Sequence, residues 1–174
     1  NDGTDLYPEI RRRAAAMLEN PKPDFKDLVR LEYIRRLGYY CTESSEHNAE
    51  YNAFFIKKDH PELIDRYRIP LDEYPRRCVE QIARWKNDRE KYVQGNVTHE
   101  RTKEYASYIM ESIVTDQAYK IGGNVINKGH LIENYPENAC VEVPCLVNRA
   151  GIQPCYVGEL PLQLAAMNMN MINV

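Results

Sequence analysis

Residues 119–126 read YKIGGNVI, residues 139–147 read ACVEVPCLV and residues 153–157 read QPCYV. These runs are short, rich in β-branched and aromatic side chains and bounded by Gly, Asn and Pro, which is the pattern of strands separated by turns. Residues 148–151, Asn-Arg-Ala-Gly, suit a tight turn between the last two runs because Asn and Gly tolerate positive φ. We therefore predict a small antiparallel sheet in the second half of the chain.

Helical patterns lie on both sides of these strands. The first 40 residues are predicted to form two helices, because the prolines in residues 20–23 must interrupt a helix and Gly38 is a typical helix stop. A long helix is predicted from Arg76, and a final helix is predicted over residues 160–170. Helices followed by an antiparallel sheet place the chain in the α+β class.

Two of these helical patterns carry apolar stripes. The stripe of the long helix comprises Cys78, Ile82, Trp85 and Tyr92. The stripe of the following helix, which Thr98 can cap, comprises Tyr105, Tyr108, Ile109, Ser112 and Ile113. A stripe at helical spacing marks a face that packs against the core more often than a cofactor contact. We therefore predict that both stripes are buried.

Composition limits the function classes. The 174 residues are 43% hydrophobic and 28% charged, as expected for one soluble globular domain. A net charge of -3 gives no general attraction to nucleic acid or anionic lipid, and no apolar run reaches the roughly 20 residues of a membrane span. The five cysteines include no C-x-x-C pair, so we expect reduced thiols in the cytoplasm.

The densest cluster of reactive side chains lies in residues 42–51, TESSEHNAEY. Carboxylates, hydroxyls, an imidazole and a phenol are the groups that general acid–base catalysis uses. His47 with Glu43 or Glu50 offers metal donors, but one histidine does not make a metal cage. Such a cluster also occurs on ordinary solvated loops, so it identifies no reaction by itself.

The wider run of residues 38–57, GYYCTESSEHNAEYNAFFIK, resembles the G-Y-x-x-T-E-S-S-x-H-x-x-E-Y segment of family 4 glycoside hydrolases of the α-galactosidase (melibiase) type. Other blocks resemble the same proteins in the same order. These blocks are residues 70–75, 77–81, 101 with 104–107, 123–127, 140–147, 151–154, 160–161 with 164–166, and 172–174. They cover essentially the whole chain in register.

The resemblance implies a division of labour between two domains. Residues 1–174 are expected to be the C-terminal substrate domain, with a fold similar to the C-terminal domain of lactate and malate dehydrogenases. The N-terminal Rossmann domain that binds NAD is expected to be absent from this chain, because Gly122-Gly123 stands alone without a glycine-rich strand–turn–helix fingerprint. The metal-binding Cys and His of the family precede the position that matches Asn1. We therefore expect the isolated chain to be inactive.

The resemblance also implies a mechanism, in which α-galactosides are cleaved with NAD+ and Mn2+. The sugar C3 hydroxyl is oxidised with NAD+, an enzyme base removes the C2 proton, the aglycone is eliminated, water adds, and the hydride returns to C3. Mn2+ acts as a Lewis acid on the C2 and C3 oxygens. Family members of the α-glucosidase and α-galacturonidase types differ in few pocket contacts, so the sugar epimer stays open.

Site residues follow from the same resemblance. Glu43, Ser44, His47 and Tyr51 are expected to form the wall of the sugar site, with Tyr51 or Glu43 as the base at C2. Further substrate contacts are expected from Arg101, Asn124 and Asn127. No cofactor or metal ligand is expected within the chain. The expected partners are the α-galactoside, the nucleotide-binding half and further copies of the protein.

Two other classes of protein stay open beside the enzyme. One is a sugar-binding module without catalysis, in which Tyr51 and Phe54 stack on a pyranose. The other is the C-terminal domain of a lactate or malate dehydrogenase relative, against which the T-E-S-S-x-H block argues.

Overall fold

The structure is a computed structural model that describes residues 3–98, 100 and 102–174, arranged in two compact units, Asn1–Thr98 and His99–Val174. The first unit consists of helices: α1 Tyr7–Glu19, α2 Leu28–Leu37, α3 Ser45–Tyr51, α4 Glu62–Tyr67 and α5 Glu73–Val93. The second unit contains α6 Ala106–Thr115, β1 Tyr119–Ile126, β2 Cys140–Asn148, β3 Gly151–Pro154 and α7 Leu162–Ile172. This order of helices and strands confirms the α+β class.

Helix α2 is the centre of the first unit. Its apolar side chains point in most directions around the helix, and Val29 and Ile34 are almost completely buried. Ala14 of α1 packs against Leu31 and Ile34. The helix ends where the sequence predicts, because Gly38 adopts the left-handed conformation with φ 83° and donates its N–H to the carbonyl of Ile34.

The sheet is antiparallel in the order β1-β2-β3, as predicted. Asn148 pairs with Gly151, so a two-residue turn joins β2 to β3 and the last strand begins two residues earlier than expected. Alternate side chains of β2 face the core, where Val143 and Cys145 pack with Ala165 of α7. The five cysteines are all free. None of the helices in the described ranges is long and apolar enough to span a bilayer.

The expectation that both helical stripes are buried is wrong. Helix α5 begins at Glu73, three residues before the predicted start, and Trp85 and Tyr92 in its stripe are 62% and 66% exposed. Helix α6 begins at Ala106 rather than after Thr98, and only Ser112 of its stripe is buried. Helical spacing locates an apolar face, but it carries no information on what covers that face.

Candidate active-site wall

The wall begins at the turn that starts α3. Ser44 caps this helix, since its Oγ accepts the backbone N–H of His47 at 3.2 Å. The side-chain amide of Asn48 donates to the carbonyls of Glu43 and Ser44, both at 2.9 Å. Glu43 Oε1 accepts the N–H of Ser44 at 2.7 Å. Three of the predicted wall residues are therefore brought together, and Glu43 and Ser44 both stabilise the local backbone.

His47 and Tyr51 lie one helical turn apart on the same face of α3. Their rings stack with centroids 5.8 Å apart and an interplanar angle of 19°. His47 Nδ1 lies 3.1 Å from Glu50 Oε2, which fixes the orientation of the imidazole. Tyr51 is 51% exposed, and its hydroxyl makes no hydrogen bond to any residue in the described ranges.

Asp27, which lies outside the predicted site, connects α3 to α2 through hydrogen bonds. Asp27 Oδ1 accepts hydrogen bonds from Arg30 Nε at 2.6 Å and Ser45 Oγ at 2.7 Å, while Oδ2 accepts one from the Tyr40 hydroxyl at 2.6 Å. Ser45 Oγ in turn accepts the backbone N–H of Arg30. The resemblance did not single out Asp27, and no local spacing could have done so, because its partners lie up to 18 positions away.

This network also changes the acidity of its members. Burial acts to raise the pKa of Asp27, but the hydrogen bonds from Arg30, Tyr40 and Ser45 outweigh it and hold that pKa below the usual 3.8. Burial, together with the hydrogen bond to Asp27, raises the pKa of Tyr40 to about 12. Asp27 is therefore a carboxylate, and Tyr40 a neutral donor, at neutral pH.

Replacing Asp27 with Asn tests this network. A carboxyl whose pKa is lower in the folded state contributes stability that is complete above the unfolded pKa and is lost as pH falls through the folded pKa. We expect Asp27→Asn to lower the free energy of unfolding by about 2 kcal/mol at pH 7, through loss of hydrogen bonds to a charged group. The difference in the free energy of unfolding between the variant and the parent should become smaller as the pH falls below 3.8, the usual pKa of an aspartate. Denaturant unfolding at pH 7 and pH 3 measures both values, with the exposed Asp24→Asn as the matched control.

One group of side chains on α3 has donor atoms suited to a cation. Ligand atoms of Glu46, His47 and Glu50 lie within 4.8 Å of one another. Each of these side chains already has a partner. Glu46 Oε2 lies 3.1 Å from Arg77 Nη2, and His47 Nδ1 is within hydrogen-bond distance of Glu50 Oε2. The group therefore does not require a metal ion, and we derive no metal step from it. That the metal ligands lie outside this chain stays a prediction.

The strands do not form the usual nucleotide-binding arrangement. Dinucleotides bind at the carboxyl ends of parallel strands, beside a helix N-terminus that follows a glycine-rich turn. The three strands of the described sheet are antiparallel, and Gly122 and Gly123 lie inside β1, opposite Pro144 and Val143 of β2. We therefore derive no NAD contact from this chain.

The remaining predicted residues lie apart from the wall in the sequence. Asn124 and Asn127 belong to the second unit, where Asn124 is exposed on β1 and Asn127 is fully buried. The Asn127 side-chain amide donates to the carbonyl of Ile132 at 2.9 Å, and its Oδ1 accepts the N–H of Ile132 at 2.8 Å. We therefore do not carry Asn127 forward as a sugar ligand. Arg101 lies outside the described residues.

A cavity of about 440 Å³ lies next to the end of the 38–57 run. Phe54, Phe55 and Lys57 line it together with residues of α2 and α4. The wall residues Glu43, Ser44, His47 and Tyr51 are not among its lining residues. They form an open face instead, and such a face becomes a closed pocket only when another surface covers it.

Comparison with known proteins identifies the class to which this domain belongs. The model of the family 4 glycosyl hydrolase C-terminal domain matches residues 1–174, so the chain belongs to this family. This match confirms the resemblance and sets aside the dehydrogenase alternative.

Individual relatives give a finer comparison. The chain is 56% identical over 173 residues to an α-galactosidase of Bacillus subtilis, covering 99% of this chain and 39% of the relative. It is 28% identical to an α-galactosidase of Rhizobium meliloti, covering 92% of this chain and 34% of the relative. The chain therefore spans well under half of the length of these relatives.

Solved structures support the fold. A candidate glucosidase from Bacillus subtilis superposes with a TM-score of 0.81 at 18% identity, covering 98% of this chain and 41% of the other. A 6-phospho-α-glucosidase from gut microorganisms, solved in complex with NAD and Mn2+, superposes with a TM-score of 0.54 at 18% identity, covering 99% of this chain and 39% of the other.

Proposed function

We propose that residues 1–174 are the C-terminal, substrate-facing domain of an NAD+- and Mn2+-dependent glycoside hydrolase that cleaves α-galactosides. The observation that carries the proposal is the 56% identity to an α-galactosidase along 99% of the chain. A relative with the same fold has been solved with NAD and Mn2+. A nucleotide-binding half, outside these residues, completes the enzyme and covers the open wall on α3.

The chain's own contribution is proton transfer and sugar orientation. Bound NAD+ supplies reversible oxidation at C3, and bound Mn2+ supplies Lewis-acid polarisation of the C2 and C3 oxygens. A carbonyl at C3 makes the C2 proton acidic, and a side chain of the wall accepts that proton. The C1–O bond then breaks, and the aglycone takes the bonding electrons and a proton. Water adds at C1, a proton returns to C2 and the C3 carbonyl is reduced again to the hydroxyl, so the overall reaction is a hydrolysis.

Tyr51 is our choice for the base, ahead of Glu43. A base must lie within hydrogen-bond reach of the proton it removes. Tyr51 is 51% exposed and its hydroxyl forms no hydrogen bond to the described residues, whereas the Glu43 carboxylate accepts the N–H of Ser44 at the start of α3. The stacked His47 keeps the phenol ring in place.

The choice of α-galactosides over the α-glucosides or α-galacturonides of related enzymes rests on the identity of the relatives. We place the enzyme in the cytoplasm, where five free cysteines stay reduced. We also expect it to form homo-oligomers.

Deuterium uptake tests the proposed reaction. For this test we define a chimera, in which the chain is fused to the remaining part of the Bacillus subtilis α-galactosidase, that is, the part that the chain does not match. The chimera is to be assayed on p-nitrophenyl α-galactoside in D2O with NAD+ and Mn2+. Removal and return of the C2 proton should give galactose that carries deuterium at C2, which NMR detects. A two-carboxylate hydrolase never breaks the C2–H bond. Product that keeps only protium at C2 would contradict the proposal.

A further inference from the structure

One cavity of the first unit takes no part in the proposed reaction. It has a volume of about 440 Å³ and lies between α2, α4 and residues 54–57, and we call it the α2–α4 cavity. Pockets for small organic ligands typically have volumes of about 300–1,000 Å³. The wall residues of α3 do not line this cavity, so it is a candidate for a second binding site.

The walls of the α2–α4 cavity include three buried aromatic rings. Tyr33, Phe55 and Tyr67 line it and are 5%, 5% and 7% exposed. The Phe55 ring meets the Tyr33 ring edge-on with centroids 5.5 Å apart, and it meets the Tyr67 ring edge-on at 4.9 Å. Aromatic rings prefer such edge-to-face contacts, so each ring holds its neighbour in place. The cavity is therefore preformed, as small-molecule sites usually are.

Charged side chains line the same cavity and leave it with an excess of positive charge. Glu32 is 2% exposed and forms ion pairs with Arg35 and Arg36, and Glu32 and Arg36 both line the cavity. Lys57 and Arg66 are lining residues as well, and neither forms an ion pair with a carboxylate in the described part of the chain. The single lining carboxylate is thus neutralised, whereas two cations have no partner of opposite charge there.

We propose that the α2–α4 cavity binds a small aromatic anion. The planar body of the ligand lies against the rings of Tyr33, Phe55 and Tyr67, where it buries apolar surface. Its anionic group lies beside Lys57 and Arg66, which offer charge-assisted hydrogen bonds to a carboxylate or a sulfonate. The proposal depends only on residues of the first unit and goes beyond the proposed hydrolysis.

The lining favours an aromatic anion over other small ligands. A sugar needs partners for several hydroxyls, yet the Tyr33 hydroxyl already donates to the carbonyl of Asn48 at 3.3 Å, and Glu32 is occupied by two arginines. An inorganic anion would meet the cations but would leave the aromatic walls in contact with water, with no gain from burying apolar surface. A cationic ligand would be repelled by Lys57 and Arg66.

The probe for this site is 1-anilinonaphthalene-8-sulfonate, a fluorescent aromatic anion. Fluorescence titration of the chimera without NAD+ and Mn2+ should show saturable binding with a Kd on the order of 10–100 μM, as expected for a ligand of this size. Methyl α-galactoside at saturation should leave the Kd unchanged. Displacement of the probe by this sugar would place it at the wall of α3 and would overturn the proposal.

Three variants locate the probe. Lys57→Glu and Arg66→Glu, measured separately, should each raise the Kd at least about 10-fold, because each change turns an attraction to the sulfonate into a repulsion. Leu63→Trp should abolish saturable binding, because Leu63 lines the cavity and the larger indole occupies its space. The matched control is Lys58→Glu, an exposed neighbour that does not line the cavity and should keep the parent Kd. Circular dichroism establishes that each variant is folded.

A neutral probe tests the role of charge. N-phenyl-1-naphthylamine has the same rings without the sulfonate, so it should bind the parent at least about 10-fold more weakly than the anion does. Its Kd should also be the same for the parent and for Lys57→Glu. Equal affinity of the parent for the two probes would overturn the assignment of an anion.

Several results would contradict the site itself. Absence of saturable binding to the chimera would mean that another part of the enzyme fills the cavity. Binding that survives the two charge reversals and Leu63→Trp would be adventitious binding to apolar surface elsewhere. An equal loss in Lys58→Glu would reduce the effect to general electrostatics. Binding is measured without reference to activity, so a chimera that fails to hydrolyse galactosides would count only against the proposed function.

Discussion

Replacing Tyr51 with Phe in the chimera is expected to lower kcat for p-nitrophenyl α-galactoside by roughly 10²–10⁴-fold, the usual contribution of a positioned general base. Phenylalanine keeps the ring that stacks on His47 and removes only the hydroxyl, so KM should change little. Steady-state kinetics at saturating NAD+ and Mn2+ measure both parameters. Tyr39→Phe, at an exposed tyrosine elsewhere in the first unit, is the matched control and should keep kcat within a few-fold.

An isotope effect separates loss of the base from a general loss of activity. If Tyr51 removes the C2 proton, Tyr51→Phe should slow that step in particular. The kinetic isotope effect on kcat, measured with substrate that carries hydrogen or deuterium at C2, should then be larger for the variant than for the parent. Glu43→Gln should lower kcat less, because the amide can still hold the turn at Ser44. A larger fall in kcat for Glu43→Gln than for Tyr51→Phe would assign the base to Glu43.

Asn127→Leu is expected to have the largest effect on stability. Asn127 is fully buried, and its amide donates to the carbonyls of Ile132 and Tyr135 and accepts the N–H of Ile132. Leucine fills a similar volume but leaves these backbone groups unpaired, at a cost of about 1–3 kcal/mol each. We expect the free energy of unfolding to fall by about 3 kcal/mol or more, measured by urea denaturation.

The matched control for that change lies three residues earlier in the chain. Asn124 is exposed on β1, so Asn124→Leu should alter the free energy of unfolding by no more than about 0.5 kcal/mol. A similar small change for Asn127→Leu would mean that the second unit does not depend on this amide, and would reopen a role for Asn127 at the sugar.

The elements that the sequence predicted well are those set by local pattern. Strand β1 has the predicted bounds, because its ends are marked by a change in residue type. Gly38 ends α2 as expected, because only glycine adopts its positive φ without strain. Strand β3 begins two residues and ends three residues before its predicted bounds, since a hairpin register depends on the pairing of Asn148 with Gly151 and not on either strand alone.

What the sequence could not provide is information about distant partners. The stripe of α5 was expected in the core because the spacing of Ile82 and Trp85 is that of a packed face, yet the spacing is the same whether the cover is the same domain or another molecule. The support of the wall by Asp27 was missed for the same reason, because Tyr40 and Ser45 meet it only after the chain folds.

The prediction of the wall residues rests on the resemblance over residues 38–57 and not on residue spacing. Carboxylates beside a histidine are common in protein sequences. In the structure, Glu43 and Ser44 accept backbone N–H groups at the start of α3. Among the described residues of the cluster, Tyr51 is 51% exposed and stacks on His47, and this placement is the reason that we propose it as the base.

The most direct measurement is the cofactor requirement of the chimera, freed of bound nucleotide and metal and assayed with p-nitrophenyl α-galactoside. We predict hydrolysis when NAD+ and Mn2+ are both added, and at least a 100-fold lower rate when either is left out, in line with the share of catalysis that a lost electrostatic or redox group removes. The isolated chain should be inactive under all of these conditions. Equal hydrolysis by the stripped chimera with and without the two additions would contradict it.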